Sequence, residues 1–297
     1  MLKIGFFGSG DFALPVIKSL SEKFLIECVY TQPPKPCGRG MKLKKTKVHD
    51  FALNFLHENK IKTPTKFTLD DELFLKSLNL DFLIVVCYGI IIPKYILDTP
   101  IVFALNIHPS SLPMYRGAAP IERCIENGDR TTSVCFIKMN EKMDAGDIVF
   151  KSNDVNIDVF ENSIHLSSFL SNLSASLIVD FLQNYHNGKS ITFAKQDDSL
   201  ASFAPKVKKA ELILNKEQAI SLTKENVFLK IKAFANFGYL KFEFKNSFFK
   251  IIKAEISDVK SSYIDIECNN GFVKPISIQP KDRGIILAKD FINGLRF

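Results

Sequence analysis

The chain has 297 residues, of which 46% are hydrophobic and 24% are charged. This composition is typical of a folded protein with a sizeable core, and it excludes a largely disordered chain, which needs low hydrophobicity and high net charge. No apolar run reaches the roughly 20 residues of a membrane span, and the amino terminus lacks the pattern of a signal peptide, so we expect a cytoplasmic protein with no membrane segment.

Positive charge is concentrated in the last third of the chain. Basic side chains outnumber acidic ones by 39 to 32, a formal net charge of +7. Residues 1–202 carry 22 of each sign, whereas residues 203–297 carry 17 basic and 10 acidic side chains. This asymmetry indicates a polyanion such as nucleic acid as partner, although lysines that only solubilise a small domain would give the same excess.

The amino-terminal residues have a pattern typical of a parallel α/β sheet. Lys3–Phe7 is a short apolar run that ends in Gly8-Ser9-Gly10, and residues 12–22 follow with apolar side chains at helical spacing. Phe24–Tyr30 is rich in residues that favour strands. This order predicts a strand, a helix and a second, parallel strand.

The middle of the chain continues the alternation. Asp81–Tyr88 and Val102–Ile107 are almost uniformly apolar, as expected of central parallel strands buried on both faces. Thr132–Met139 and Ile148–Val155 are predicted as further strands, and residues 161–186 as a long helix, because their apolar side chains recur every 3.6 residues. About the first 190 residues are therefore predicted to form a doubly wound, mostly parallel α/β sheet.

The pattern changes after the polar segment Gln196–Ser202, which we interpret as a linker. Glu217–Phe234 is predicted as one helix. Short strand-like runs separated by turns then predict a small antiparallel sheet or barrel. We place the domains at residues 1–202, linker included, and 203–297. The predicted strands of the second domain are Tyr239–Phe244, Phe248–Ala254, Tyr263–Cys268 and Phe272–Gln279.

The turn Gly8–Ala13 fits the loose dinucleotide pattern G-x-G-x-x-A. A dinucleotide site also needs an acidic residue at the end of the second strand, and this strand runs into Gln32 without one. The turn is therefore better interpreted as a tight strand-to-helix connection, and an anion near the helix N-terminus stays open.

The segment Gln32–Lys47 carries six positive charges and no acidic residue. Long irregular loops on a compact domain are uncommon and often functional, and such a loop would bind a phosphate backbone in a salt-dependent way. A solvated flexible loop is the alternative. The six cations are Lys35, Arg39, Lys42, Lys44, Lys45 and Lys47.

The strongest chemical signal lies where the predicted strand Val102–Ile107 ends. Asn106 and His108 are two residues apart and so share a face of the strand, at the carboxyl end where open α/β sheets bind ligands. Asp144 lies in the loop after the next predicted strand. An amide, an imidazole and a carboxylate together suit attack on a carbonyl with no covalent intermediate.

The six cysteines show neither C-x-x-C spacing nor a nearby histidine at metal-binding spacing. This arrangement favours free thiols in a reducing compartment and predicts no metal site.

Seven segments resemble the 10-formyltetrahydrofolate-dependent formyltransferases, and they follow the family's order over nearly the whole chain. The motifs Asn-x-His, Ser-x-Leu-Pro-x-Tyr-Arg-Gly and Asp-x-Gly-Asp make the resemblance specific. It implies transfer of a formyl group from 10-formyltetrahydrofolate to the α-amine of methionyl initiator tRNA by a monomer with no metal, and a C-terminal OB-like barrel that contacts tRNA. The segments are GSGDFALPV, TQPPKPCGRG, VVCYGIIIPK, NIHPSSLPMYRGAAPI, MDAGDIV, FAPKVKKAE and SIQP.

The resemblance also implies roles for individual residues. The catalytic residues would be Asn106, His108 and Asp144. Folate contacts would come from two segments, and tRNA contacts from the basic loop. The implied folate contacts are Ser110, Ser111, Leu112 and Pro113, with Tyr88, Gly89, Ile90 and Ile91 beside the pterin pocket, and the implied tRNA contacts are Arg39, Lys42, Lys44 and Lys45.

The sequence departs from the family at Pro109 and Ser111, and Ala233–Gly238 lacks the usual proline and tryptophan. The nearest alternative is a formyltransferase that acts on a sugar-nucleotide amine, or on a glycinamide. The basic loop and the extra domain count against these acceptors. An NAD-dependent oxidoreductase and a non-catalytic tRNA-binding protein are further alternatives, and the intact Asn, His and Asp set opposes the latter.

Overall fold

The computed structural model describes residues 1–37, 41–245 and 247–294, and the chain divides into two compact units. Unit 1 consists of residues 1–118, 132–155 and 167–203. Unit 2 consists of residues 119–131, 156–166 and the chain from residue 204 onward. Unit 2 therefore takes two short segments from the first 166 residues, which no linear pattern in the sequence indicates.

Unit 1 is built on a seven-stranded sheet with the strand order β7-β6-β5-β4-β1-β2-β3. The five strands β3, β2, β1, β4 and β5 pair in parallel, whereas β6 pairs antiparallel with both β5 and β7. The prediction of a mostly parallel α/β sheet is confirmed. The strands are β1 (Lys3–Gly8), β2 (Leu25–Tyr30), β3 (Ile61–Lys62), β4 (Phe82–Val86), β5 (Phe103–His108), β6 (Cys135–Lys138) and β7 (Ile148–Lys151).

Burial explains why these strands occupy the centre. All five residues of β4 are buried, as are five of the six in β1 and in β5, as expected of parallel strands covered on both faces. Strand β6 is shorter than the predicted Thr132–Met139. Just before β6, the carbonyl of Val134 accepts from the N–H of Ser152 at 2.9 Å, but its N–H donates to the Ser152 hydroxyl at 3.0 Å, so the regular pairing of two backbones begins only at Cys135.

A helix follows each of the strands β1 to β5, whereas β6 leads directly into β7 and the helix Ser163–His186 follows β7. Helix α1 buries Ala13, Val16, Ile17 and Leu20, whose spacing forms one apolar stripe. The helices are α1 (Ala13–Lys23), α2 (Lys47–Ala52), α3 (Leu69–Ser77), α4 (Lys94–Leu97), α5 (Pro120–Glu126), α6 (Ser163–His186), α7 (Lys216–Ser221), α8 (Lys224–Ala233) and α9 (Ala288–Asn293).

Helix α6 has 24 residues and is long and apolar enough to cross a membrane by length and composition alone, with a mean hydropathy of 1.2 over its most apolar window. The core helix of a globular unit passes the same test. In unit 1, Leu170, Ile178 and Leu182 of this helix are fully buried, and their spacing places them on one face.

Unit 2 contains a six-stranded sheet in the order β8-β9-β10-β12-β11, with β13 paired to β12. Strands β8 and β9 are parallel and the other pairs are antiparallel. The antiparallel character agrees with the sequence pattern, and closure into an OB-like barrel stays a prediction. The strands are β8 (Ile213–Leu214), β9 (Lys241–Phe244), β10 (Ser247–Ser257), β11 (Ile266–Cys268), β12 (Gly271–Pro280) and β13 (Ile286–Leu287).

The prediction of one helix over Glu217–Phe234 is wrong, because α7 ends at Ser221 and α8 begins at Lys224. Thr223 separates them: its backbone is extended and its hydroxyl accepts a hydrogen bond from the N–H of Asn226 at 3.1 Å. Such an N-cap starts a new helix. The remaining short elements are strands at Lys35–Cys37, Lys42–Lys44, Arg116–Gly117, Thr131–Thr132, Val155–Asn156 and Phe203–Ala204, and 3₁₀ turns at Glu58–Lys60, Asp198–Leu200, Lys209–Leu212 and Ala235–Phe237.

Candidate active site

Two neighbouring elements of the sheet bring the predicted catalytic residues together. Strand β5 carries Asn106 and His108 at its carboxyl end, and the loop after β6 returns Asp144 to them. This loop is closed tightly, since the N–H of Lys138 donates to the carbonyl of Asp147 at 2.9 Å. A Cβ atom added at Gly146 would lie 1.8 Å from the Lys138 carbonyl oxygen. Only glycine can therefore occupy that position of the loop.

The carboxylate of Asp144 is held from three directions. Its Oδ1 accepts a hydrogen bond from the amide nitrogen of Asn106 at 3.0 Å. Its Oδ2 accepts one from the backbone N–H of Gly117 at 2.9 Å and lies 3.6 Å from Nδ1 of His108. The three predicted catalytic side chains thus form one contact network. The backbone N–H of Gly117, the last residue of the Ser-x-Leu-Pro-x-Tyr-Arg-Gly motif, is a fourth member, to which the sequence analysis assigned no role.

The geometry around His108 defines which ring nitrogen carries a hydrogen. Nε2 lies 2.9 Å from the backbone carbonyl oxygen of Tyr115. Because a carbonyl oxygen only accepts hydrogen bonds, Nε2 must donate. The other nitrogen, Nδ1, faces Asp144 at a distance longer than an ordinary hydrogen bond. Nδ1 is therefore the ring nitrogen that faces the carboxylate.

Three of the eight non-glycine residues with positive φ in the described part of the chain lie in the loops that border this network. Tyr115 has φ of 63°, Asp144 of 49° and Cys87, just after β4, of 47°. Residues other than glycine rarely adopt these values, and when they do they cluster at functional sites. Cys87 is also exposed, although all five residues of β4 before it are buried.

Gln196 holds the backbone of the Asp144 loop in place, and Arg116 in turn holds Gln196. The side-chain nitrogen of Gln196 donates to the carbonyl oxygens of Asp144 at 2.8 Å and Gly146 at 2.7 Å. Its oxygen accepts from Nε and Nη2 of Arg116 at 3.0 and 2.8 Å. Both side chains are buried. Arg116 also donates to Asp198 at 2.8 Å, and this hydrogen bond keeps the pKa of the exposed Asp198 carboxyl below its usual range.

The segment 196–202, predicted as a linker, therefore also supports the site. Besides Gln196, it contributes Ser202, whose hydroxyl accepts from the N–H of Tyr115 at 2.9 Å and whose carbonyl accepts from the N–H of Arg116 at 2.9 Å. Arg116 lies within the Ser-x-Leu-Pro-x-Tyr-Arg-Gly motif, but nothing in the sequence around Gln196 indicates its role. A polar residue in a polar segment gives no such signal.

The segment Ser110–Pro113 follows β5 directly, and its polar side chains are engaged within the protein. The Ser110 hydroxyl donates to the carbonyl of Met114 at 2.8 Å, and the Ser111 hydroxyl bonds the Ser133 hydroxyl at 2.9 Å. Leu112 is buried, and the Leu112–Pro113 peptide is cis. This segment therefore presents mainly backbone groups to a ligand.

The segment Tyr88–Ile91 follows β4, the strand next to β5 in the sheet. The Tyr88 side chain is buried against Phe7, with its hydroxyl unpaired among the described residues, and burial raises the pKa of that hydroxyl. Gly89 has φ of 75° and Ile90 is half-buried, whereas Ile91 is 92% exposed. The two segments that the resemblance associates with folate thus begin at the carboxyl ends of two neighbouring parallel strands, at the same edge of the sheet.

Comparison with known proteins now identifies the family. The model of the formyl transferase family matches residues 2–181. The methionyl-tRNA formyltransferase of Rickettsia prowazekii is 32% identical over 99% of this chain and 97% of its own length, and that of Pelagibacter ubique is 35% identical over 98% and 95%. The chain belongs to the methionyl-tRNA formyltransferase family.

Solved structures of lower identity share its fold. A sugar 3N-formyltransferase, WlaRD, solved with dTDP and 5-N-formyl-THF, superposes with a TM-score of 0.67 at 19% identity, covering 96% of this chain and 99% of its own. Methionyl-tRNA formyltransferase from Clostridium thermocellum superposes with a TM-score of 0.57 at 16% identity, covering 97% and 100%. At these identities the superpositions establish the α/β fold of this family.

Hydrogen bonds at the turn Gly8–Ala13 join it to the segments that follow β2 and β4. The N–H of Gln32 donates to the Ser9 hydroxyl at 2.9 Å, and the Gln32 side chain donates to the carbonyl of Tyr88 at 2.9 Å. These bonds join the carboxyl ends of β1, β2 and β4. An added Cβ at Gly8 would lie 2.6 Å from the Phe6 ring, so close packing explains this glycine.

The basic loop forms a short antiparallel hairpin between Lys35–Cys37 and Lys42–Lys44. Lys42 and Lys44 are exposed, and in the described part of the chain neither has an acidic partner within 4.0 Å. Lys45 lies 3.6 Å from Glu58. Arg39 falls outside the described residues. Lys35 is also exposed, and its Nζ donates to the neutral Gln32 side chain at 2.6 Å. The hairpin thus exposes three positive charges with no acidic partner in the described part of the chain. Within the same residues there is no cluster of side chains that could bind a metal.

Proposed function

We propose that this protein transfers the formyl group of 10-formyltetrahydrofolate to the α-amine of methionyl initiator tRNA. The observation that carries the proposal is the contact of Asn106 and His108 with Asp144 at the carboxyl end of β5. An amine that attacks a carbonyl carbon directly needs donors for the oxyanion and an acceptor for the proton. Membership of the methionyl-tRNA formyltransferase family supports the choice of substrates.

Asn106 and His108 are assigned to the oxyanion. One hydrogen of the Asn106 amide is used by Asp144, which leaves its second hydrogen for a substrate oxygen. Protonated His108 donates from Nδ1, since Nε2 is already bonded to the Tyr115 carbonyl. Both donors are oriented before the reaction, which is the condition under which such hydrogen bonds lower a barrier most.

Asp144 is assigned to orient His108 and to take up the proton that the attacking amine loses, directly or through water. The same proton would return to N10 of the folate as the bond between N10 and the formyl carbon breaks, so that tetrahydrofolate leaves. The N–H of Gly117 and the amide of Asn106 fix the carboxylate in place. Its 3.6 Å separation from Nδ1 leaves room for a proton to pass when substrate or water enters.

We assign the folate contacts to Ser110, Ser111, Leu112 and Pro113 and to Tyr88, Gly89, Ile90 and Ile91. Bound there, 10-formyltetrahydrofolate supplies the formyl carbonyl. The exposed side chain of Ile91 suits a flat, partly apolar ring, because a large apolar side chain at a strand end gains from being covered. We expect the backbone to make the polar contacts, since the hydroxyls of Ser110 and Ser111 are engaged within the protein.

We assign tRNA binding to the basic loop, through Arg39, Lys42, Lys44 and Lys45, and to the positively charged C-terminal residues. In this proposal residues 1–202 form the catalytic domain and residues 203–297 an OB-like tRNA-binding domain, and the protein acts in the cytoplasm as a monomer. The excess of seven positive charges beyond residue 202 supports a polyanionic partner.

The test is transfer of a labelled formyl group from 10-formyltetrahydrofolate to charged initiator tRNA, with a sugar-nucleotide amine as a parallel acceptor. Label on the methionyl amine is the expected result. Label only on the sugar would retain the assignment of Asn106, His108 and Asp144 but overturn tRNA as acceptor. No transfer to either acceptor would overturn the proposal as a whole.

A further inference from the structure

Unit 2 contains a pocket that the proposed function does not use. It has a volume of about 260 Å³ and lies where the ends of β9, β10 and β12 meet α9. The apolar part of its wall consists of four aromatic rings and Pro280. The rings belong to Phe244, Phe248, Phe249 and Phe291.

Three of these rings, those of Phe244, Phe249 and Phe291, meet at angles instead of stacking flat on one another. The fourth ring, that of Phe248, has Nζ of Lys241 at 4.9 Å from its centroid. The centroids of Phe244 and Phe249 are 6.2 Å apart at 56°. Phe291 lies 6.4 Å from Phe244 at 65° and 6.1 Å from Phe249 at 60°. This arrangement makes a concave aromatic wall. Phe249 is buried, but Phe244, Phe248 and Phe291 are only half-buried, so aromatic surface remains for a ligand to cover.

The rim of the same pocket is positively charged. Lys245, Lys281 and Arg283 line it and are exposed, and the described lining residues include no acidic side chain. The turn that carries two of them is ordered by the backbone, since the N–H of Arg283 donates to the carbonyl of Pro280 at 3.2 Å. The side chain of Gln279 donates to the carbonyl of Arg283 at 3.1 Å.

We propose that this pocket binds one unstacked nucleotide of the tRNA, with the base against the phenylalanine rings and the phosphate against the cations. Aromatic faces beside a cationic rim are the combination by which proteins bind unpaired nucleotides, because every base has a flat face and every nucleotide a charged phosphate. An apolar peptide would not need the cations, and a duplex phosphate backbone would not need the rings. The inference rests on the proposed function, which supplies tRNA as the partner.

The test measures binding of uncharged initiator tRNA to the full chain, so that it does not depend on catalysis. Phe248→Leu removes the ring and keeps an apolar side chain, and its control is Phe272→Leu, a half-buried phenylalanine on the same sheet outside the pocket. We expect Phe248→Leu to raise the Kd about tenfold, as for one lost base stack, with an unchanged dependence of Kd on salt. The control should bind as the parent protein does.

The rim is tested with Arg283→Gln against Lys260→Gln, an exposed lysine of unit 2 outside the pocket. Arg283→Gln should weaken binding and make the salt dependence shallower, and the control should weaken it less. A five-nucleotide single-stranded RNA that carries 2-aminopurine gives a direct signal: its fluorescence should be quenched by the parent protein and not by Phe248→Leu.

Several results would overturn the proposal. The first is that Phe248→Leu and its control Phe272→Leu have the same Kd for tRNA, whether both are unchanged or both are raised. The second is that the variants change only the self-association of the protein. Weaker binding with Arg283→Gln only would mean a phosphate surface without base stacking, and would also overturn it. Failure of the proposed function is distinguishable, because a protein that transfers no formyl group to tRNA would still quench the oligonucleotide if the pocket is correctly assigned.

Discussion

The side-chain amide of Gln196 donates to the backbone carbonyl of Asp144 at 2.8 Å. A second bond from the same nitrogen to Gly146 spans the turn of the loop. Arg116, buried behind Gln196, donates twice to the amide oxygen and so fixes the orientation of the amide. Gln196 thus positions the Asp144 carboxylate through the backbone of the loop, without a hydrogen bond to the carboxylate itself.

Replacing Gln196 should therefore lower kcat. Gln196→Leu removes both bonds to the loop, and we expect kcat to fall by about 10- to 100-fold, because displacement of a reacting group by about 1 Å costs this much, with the KM for tRNA little changed. Steady-state kinetics checks this. Gln183→Leu, an exposed glutamine of α6, is the control. A rise in the KM for tRNA with unchanged kcat would show that Gln196 has no positioning role.

Asn106→Ala should lower kcat/KM by about 10²–10³, the usual cost of removing one oxyanion donor, while the protein stays folded. Asn153→Ala, an exposed asparagine of unit 1, should leave turnover at the parent level. Circular dichroism and a formyl-transfer assay on both variants make the comparison. Near-normal turnover in folded Asn106→Ala would remove this residue from the mechanism.

Gly146→Ala should destabilise the protein and displace Asp144, since the new methyl group would meet the Lys138 carbonyl at 1.8 Å. Overpacking of this kind costs about 1–3 kcal/mol. Gly10→Ala is the control, because its Cβ would have only an ordinary 3.5 Å contact with Cys87. Denaturant unfolding measures both. Equal stability of the two variants would mean that the loop relaxes freely around residue 146.

The sequence predicts those parts of the molecule that depend on local periodicity. Alternation along a strand was enough to expect Asn106 and His108 on one face, and apolar runs predicted β4 and β5. The division between α7 and α8 was missed because it depends on one capping residue, Thr223. Gln196 was missed because its bonds reach residues 50 to 80 positions away in the sequence, and no local pattern encodes such a distance.

The hairpin lysines should contribute to tRNA affinity through charge alone. We expect the double variant Lys42→Gln/Lys44→Gln to weaken tRNA binding and to make the plot of log Kd against log salt shallower, by roughly one for each phosphate that the protein no longer neutralises. Folate affinity should stay constant, because the change lies on the hairpin alone. Lys66→Gln/Lys189→Gln, two exposed lysines elsewhere in the first 202 residues, is the control. Unchanged salt dependence in the hairpin variant would exclude phosphate binding there.

His49 of α2 should make the protein less stable in mild acid. Its side chain is buried, and both ring nitrogens lack a hydrogen-bond partner among the described residues. Burial, and then repulsion from Lys45, lower its pKa in the folded state. The unfolded chain therefore binds a proton near the ordinary histidine pKa of about 6.5 while the folded chain does not, so the free energy of unfolding falls as pH drops through that value. His49→Phe should reduce this dependence between pH 8 and 5 in urea unfolding, whereas the exposed His186→Phe should retain it. Parallel curves for His49→Phe and the parent protein would mean that His49 gains a proton in the folded state.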